Sequence, residues 1–215
     1  GGRRIVNYNR FLRAAHRLIP GRVLTAMVSV ASTVRIACRL GAMVAFLAVL
    51  PPPALRADTT FDSGTTTIGS GTNFGSTLVI GDTGTATVRF VPGADASDGN
   101  AMLGYDTTGQ GTALVTGGTW TTGNGLHVGF QGSGVLDING GYVRSVAYGA
   151  LAWVPGSSGT ATVTSGTWSS DSIYVGYRGQ GELTVNGGGV VAADYQVNVG
   201  ADSNGSGVLR IAGGA

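Results

Sequence analysis

Residues Leu126–Gly141, LHVGFQGSGVLDINGG, hold the pattern on which the fold turns. Side chains of an extended chain alternate between two faces. Leu126 and Val128 therefore share one face of a first short strand, and Leu136 and Ile138 share one face of a second, with Asp137 pointing outward. Between the strands, Gly129-Phe130-Gln131-Gly132-Ser133-Gly134 supplies residues without a Cβ where a sharp corner needs them. Gly140-Gly141 makes the next corner. A lone hairpin of this size does not stay folded in water. The stretch is stable only if it is copied and stacked.

It is copied. Self-similarity at a fixed period gives GQGTALVTGG at 109–118, GSGVLDINGG at 132–141, GQGELTVNGG at 179–188 and GSGVLRIAGG at 205–214. Two worn copies, GTATVRFVPG at 84–93 and SSGTATVTSG at 157–166, complete the series. The position before each second strand is Ala86, Gly111, Gly134, Gly159, Gly181 and Gly207, at spacings of 25, 23, 25, 22 and 26 residues. The first strand recurs as LVIG (78–81), MLGY (102–105), LHVG (126–129), IYVG (173–176) and VNVG (197–200), and Ala152 stands where a glycine is expected.

Stacked, the second strands place Val88, Ala113, Leu136, Ala161, Leu183 and Leu209 in one inward column and Phe90, Val115, Ile138, Val163, Val185 and Ile211 in the next. The residues between them (Arg89, Leu114, Asp137, Thr162, Thr184, Arg210) are mostly polar and point out. Small and β-branched residues inside, polar ones outside, are what a narrow β-coil requires. The chain is therefore expected to be all-β: a parallel β-helix (β-solenoid) of about six 22–26-residue coils, stacked at about 4.8 Å per layer. Handedness and the number of sheets are not encoded in this pattern. A β-propeller needs blades of about 40 residues with four strands, and these units are too short for it.

Thirty-nine glycines in 215 residues would mean disorder if they were aperiodic; here they punctuate regular apolar pairs. The net charge of +2 hides a split. Nine of the thirteen arginines lie in 1–57 with no acid, whereas 58–215 carries the other four against all eleven acids. A mildly acidic, lysine-free repeat region is a poor partner for phosphate backbones, so nucleic acid is not expected as a partner.

Residues 1–57 read as an extended signal peptide: an arginine-bearing stretch, the apolar run Leu40–Leu50, Pro51-Pro52-Pro53, and a small-residue site ending at Ala57. The apolar run is shorter than the roughly 20 residues that span a bilayer. An uncleaved anchor is the alternative, and Arg35 and Arg39 interrupt it. Cys38, the single cysteine, falls inside this segment, so the mature chain is expected to hold neither disulfides nor metal thiolates. Residues 58–76, rich in threonine and glycine, read as a lead-in or N-terminal cap to repeats spanning 77–215. The last repeat is cut at Ala215, which suggests a longer natural product.

The pattern aliphatic-x-Val-Gly, then Gly-x-Gly-x-Leu-x-Val-x-Gly-Gly, carried best by 126–141, 173–188 and 197–214, resembles the glycine-rich repeat of autotransporter (type V secretion) passengers. The same repeat type occurs in some PEP-CTERM-sorted surface proteins. The resemblance covers residues 77–215. It implies export by the secretory pathway, display at the cell surface as stalk or adhesin, and outer-membrane attachment only through a C-terminal barrel that this chain does not contain. The implied partner is a host surface or a carbohydrate met through exposed coil faces.

No catalytic, cofactor-binding or metal-ligating residue is assigned from the sequence, and no cofactor is expected. His127 falls on an outward strand position in the column of Tyr174 and Asn198 and is read as facing solvent; the other histidine, His16, lies in the signal. Glu182 is the only glutamate, and the aspartates fall in unrelated columns: Asp82, Asp106 and Asp202 near one corner, Asp137 on a strand, Asp171 and Asp194 past the next. Glycosidase chemistry needs two carboxyls about 5–10 Å apart, and corner aspartates are more often turn formers. Trp120 and Trp168 recur two residues after a glycine corner, with Val143 and Val190 in the alternate coils. They are read as plugs closing the core, with a sugar-binding stripe as the alternative. A carbohydrate-active β-helix with its catalytic groups elsewhere, and a PEP-CTERM-type matrix protein, are the competing functional readings.

Overall fold

The computed structural model describes residues 58–215; the expected signal segment, with Cys38 and His16, lies outside the described residues. The described chain is all-β, and every strand pairing in it is parallel. The first coil is β1 (Thr59–Phe61), β2 (Gly64–Ile68) and β3 (Thr72–Asn73). The second is β4 (Thr77–Ile80), β5 (Thr85–Phe90) and β6 (Asp95–Asp98), and the third β7 (Asn100–Leu103), β8 (Gln110–Val115) and β9 (Thr119–Thr122). After β10 (Gly125–Val128) the strands run through their corners: β11 (Ser133–Leu151), β12 (Ser158–Val175), β13 (Gln180–Asn186), β14 (Val190–Val199) and β15 (Ser206–Ala212).

Each coil visits three sheets in turn. The first sheet stacks β1, β4, β7, β10 and the ends of β11, β12 and β14. The second stacks β2, β5, β8, the starts of β11 and β12, then β13 and β15. The third stacks β3, β6, β9, the middles of β11 and β12, and the start of β14. This is a three-sided parallel β-solenoid of about six turns. Antiparallel propeller blades are excluded by the parallel pairing.

The register is the one the repeats dictate. Ala86, Gly111, Gly134, Gly159, Gly181 and Gly207 are consecutive partners down the second sheet. So are Val88, Ala113, Leu136, Ala161, Leu183 and Leu209. The first five of that column are fully buried, and Leu209 is exposed because it lies in the final layer. Each buried valine or leucine of the column contributes about 1.5–3 kcal/mol, and the coils beside it supply the cover.

The glycine column has a steric cause. A Cβ on Gly159 would run into the Val128 carbonyl oxygen of the previous coil, and one on Gly134 into the Gly129 amide nitrogen. At these positions the corner folds back so closely that no side chain fits.

The corners between the first and second sheets alternate in length. After the two-residue link 62–63 of the first coil, they are four residues long at 81–84, 129–132 and 176–179, and six at 104–109, 152–157 and 200–205. The four-residue corners read GDTG, GFQG and GYRG, with glycine at both ends. The structural period is thus a pair of coils, which explains why the sequence spacings rise and fall.

Candidate functional site

The largest concentration of chemistry-bearing side chains lies on the outside of the first sheet. The residue after the turn glycine is Tyr105, Phe130 and Tyr177 in three coils, and Trp153 follows Ala152 in the fourth. These rings fold back over the sheet. Tyr105 stacks on Phe130 (centroids 5.4 Å, 5° between planes), and Trp153 stacks on Tyr177 (4.4 Å, 14°) and on Tyr148 (5.4 Å, 16°). Tyr174 meets Tyr177 edge-on, and the Arg178 guanidinium lies over the Tyr177 ring at 5.4 Å.

His127 sits beneath this cluster. It points outward from the solenoid interior, as its strand position requires, but it does not face solvent: only 3% of it is exposed. Phe130, Tyr148 and Trp153 present edge-to-face contacts to the imidazole at 5.2, 5.3 and 4.7 Å. Its Nε2 is 3.1 Å from the Tyr148 hydroxyl, and its Nδ1 is buried without a partner. Burial disfavours the imidazolium and pushes the His127 pKa down to about 4. The outer cover is what strand alternation alone does not reveal. Its signal was the aromatic residue after the turn position in four successive coils, Tyr105, Phe130, Trp153 and Tyr177.

Inside the solenoid, Trp120 and Trp168 are fully buried, as core plugs are. Trp120 stacks on Phe90 at 4.6 Å and donates from Nε1 to Asp98 Oδ2 at 2.7 Å, while Trp168 Nε1 donates to Ser145 Oγ at 3.3 Å. Their column continues to Val143 and then to Val191, not to Val190. The third glycine of Gly187-Gly188-Gly189 adds a residue to that corner and shifts the following strand by one. Asp98 is nearly buried; desolvation raises its pKa to about 7 against the opposing Trp120 hydrogen bond. Its Oδ1 and the Thr122 Oγ1 of the next layer are both buried without partners.

Four further acids are engaged locally. Asp62 accepts from the Gly84 and Thr83 amides, and these bonds outweigh its partial burial and hold its pKa below the usual range. Asp106 accepts from the Thr107 amide and hydroxyl, as a turn former does. Asp202 accepts from Arg178 Nε at 3.0 Å, and Glu182 pairs with Arg210. Among the described residues, no group of three His, Cys, Asp or Glu side chains is placed to hold a metal ion.

No family model, curated protein or solved structure matches this chain. What the geometry offers is a solenoid with one aromatic flank and several carboxylates engaged by local partners. That arrangement can present rings and hydroxyls to a partner. Asp171 and Asp194 follow the paired residues Ser170 and Ala193 of adjacent coils, and both lie close enough to Arg144 to favour its charged form.

Proposed function

We propose that this chain is a structural segment of a secreted, surface-displayed protein of the autotransporter-passenger type, acting as a stalk or adhesive surface without catalysis of its own. The observation that carries the reading is the parallel register of the second sheet, kept from Ala86 to Gly207 while the corners leading into it vary between four and six residues. Such a stack transmits its geometry from coil to coil and leaves the corners free to vary. The arginine-bearing, apolar, small-residue-terminated N-terminal sequence supports export. The engagement of Asp106, Asp202 and Glu182 with separate local partners supports a non-enzymatic role.

The test is display. An epitope inserted between Thr107 and Thr108, in the six-residue corner 104–109, is expressed within the complete natural reading frame in a Gram-negative host. Intact cells are expected to bind the antibody and to lose the signal on brief protease treatment. An epitope that stays protected in intact cells and is found in the soluble intracellular fraction would refute the assignment.

A further inference from the structure

The corner 152–157 combines backbone strain with an unusual restraint. Ala152 has φ +57°, and it is the only non-glycine residue with positive φ among the described residues. The equivalent positions Gly81, Gly104, Gly129, Gly176 and Gly200 all adopt φ between 64° and 77° as glycines. An alanine in this region is disfavoured by about 1–2 kcal/mol, so something must hold the corner down. Trp153, the next residue, is the only side chain of that corner in the aromatic cluster, wedged among Tyr148, Tyr177 and His127. The ring it meets edge-on is a buried imidazole with one orphaned nitrogen.

We propose that the corner 152–157 is an acid-released clasp, closed by the neutral His127 ring and opened when that ring gains a proton. Neutral His127 has one donor and one acceptor nitrogen; with Nε2 at the Tyr148 hydroxyl, the neutral ring leaves only a bare Nδ1 acceptor unpaired. The imidazolium must donate from both nitrogens, and Nδ1 has no acceptor.

No charge stands ready to compensate. In register on its own sheet His127 lies between Met102 of β7 and Ala150 of β11. The corner 129–132 contributes Phe130, β11 contributes Tyr148, and the corner 152–157 contributes Trp153. Of the charged groups in the neighbouring corners, Asp106 is turned to Thr107, while Arg178 is paired with Asp202. Burial is accordingly the sole cause of the lowered His127 pKa.

A proton on His127 therefore drives the ring toward water. Trp153 loses its edge contact, Ala152 relaxes, and the corner swings off Tyr177. The result is a rod whose flat aromatic faces, stacked on one another at neutral pH, become available to a partner in acid.

Hydrogen–deuterium exchange on the unmodified chain tests this, with rates corrected for the intrinsic pH dependence of exchange. If the open corner restores an ordinary histidine pKa of about 6.5, opening is favoured about a hundredfold more at pH 4 than at pH 7.5. Protection of the Trp153 and Val154 amides, which donate to Gly129 and Phe130 carbonyls, is expected to fall by that factor. The corner 81–84 is expected to stay unchanged. His127→Phe is expected to keep the corner protected at pH 4, and Ala152→Gly to raise protection at both pH values with the same ratio between them. Equal loss of protection in the parent and His127→Phe would overturn the proposal. So would lower protection in Ala152→Gly. Should His127→Phe fail to fold, NMR titration of the parent decides: the His127 ring and Trp153 amide must shift together below pH 5, and a ring that titrates without the amide refutes the clasp.

Discussion

At the scale of single residues, two kinds of glycine separate cleanly. Gly159 has no room for a Cβ because the Val128 carbonyl of the coil below occupies that space, whereas Gly156 adopts φ +85° with nothing within 4 Å of a would-be Cβ. Gly159→Ala forces one coil away from the next and is expected to cost about 2–3 kcal/mol or more. Gly156→Ala meets only backbone strain and is expected to cost about 1 kcal/mol. Urea unfolding of the two variants side by side checks the order, and a reversal would mean that the coils are not in the close contact described. The first glycine was legible in the sequence, because the column Gly111, Gly134, Gly159, Gly181, Gly207 repeats without exception below Ala86. His127 was not. Alternation correctly turned it away from the interior, but outward does not mean wet when Trp153, from a corner 26 residues later, lies across it. Strand period carries no information about what a corner folds back onto.

At the scale of elements, strands fix the register and corners absorb change. Removing Thr107 and Thr108 turns the six-residue corner 104–109 into a four-residue one with glycine at each end, the form already seen at 81–84. The side-chain hydrogen bonds lost there, from Thr107 to Asp106 and from Thr108 Oγ1 to the Thr83 carbonyl, are exposed, and the one backbone bond lost, from Gly109 N to the Asp106 carbonyl, closes a turn that the shorter corner does not make. The deletion is expected to cost no more than about 1 kcal/mol. Deleting Thr112 from β8 instead moves Ala113 and Val115, both fully buried, onto the opposite face of the strand. That deletion is expected to cost about 3 kcal/mol or more. Thermal unfolding of the two deletions distinguishes the cases, and similar losses in both would contradict the division of labour. The irregular spacings of 25, 23, 25, 22 and 26 residues announced that corners vary. Their alternation between two lengths emerges only once the strand ends are known, since glycines cluster at most corners without marking where each strand stops. The one-residue shift at Gly187-Gly188-Gly189 was hidden for the same reason: three equivalent glycines do not say which two make the turn.

Over the whole molecule, two buried groups give the stability opposite responses to pH. Asp98 prefers to be neutral: its pKa is raised to about 7 in the folded chain, against 3.8 when free. The stability it leaves intact is full below 3.8 and is lost as pH rises toward 7. His127 also prefers to be neutral, with a pKa of about 4 against 6.5 when free. Its folded state is undiminished above 6.5 and loses stability as pH falls toward 4. Between about pH 4 and 6.5 the two slopes, each about 1.4 kcal/mol per pH unit, oppose one another. Asp62 and Asp202, whose pKa values are lowered, lose their contributions as pH falls below the ordinary carboxylate range. The unmodified chain is therefore expected to show a nearly flat urea midpoint from pH 4.5 to 6.5. Asp98→Asn, which keeps an acceptor for the Trp120 Nε1, removes one slope and should leave stability falling as the solution is acidified. His127→Phe removes the other and should leave stability falling as pH rises over the same window. Cancellation applies only to global unfolding. Asp98 lies at the end of β6 in the second coil, away from the corner 152–157, so local opening there feels His127 alone. A chain whose overall stability is flat across this window while one corner loses protection is the combined signature expected, and a fall in protection shared by all corners would show that the two groups do not act independently.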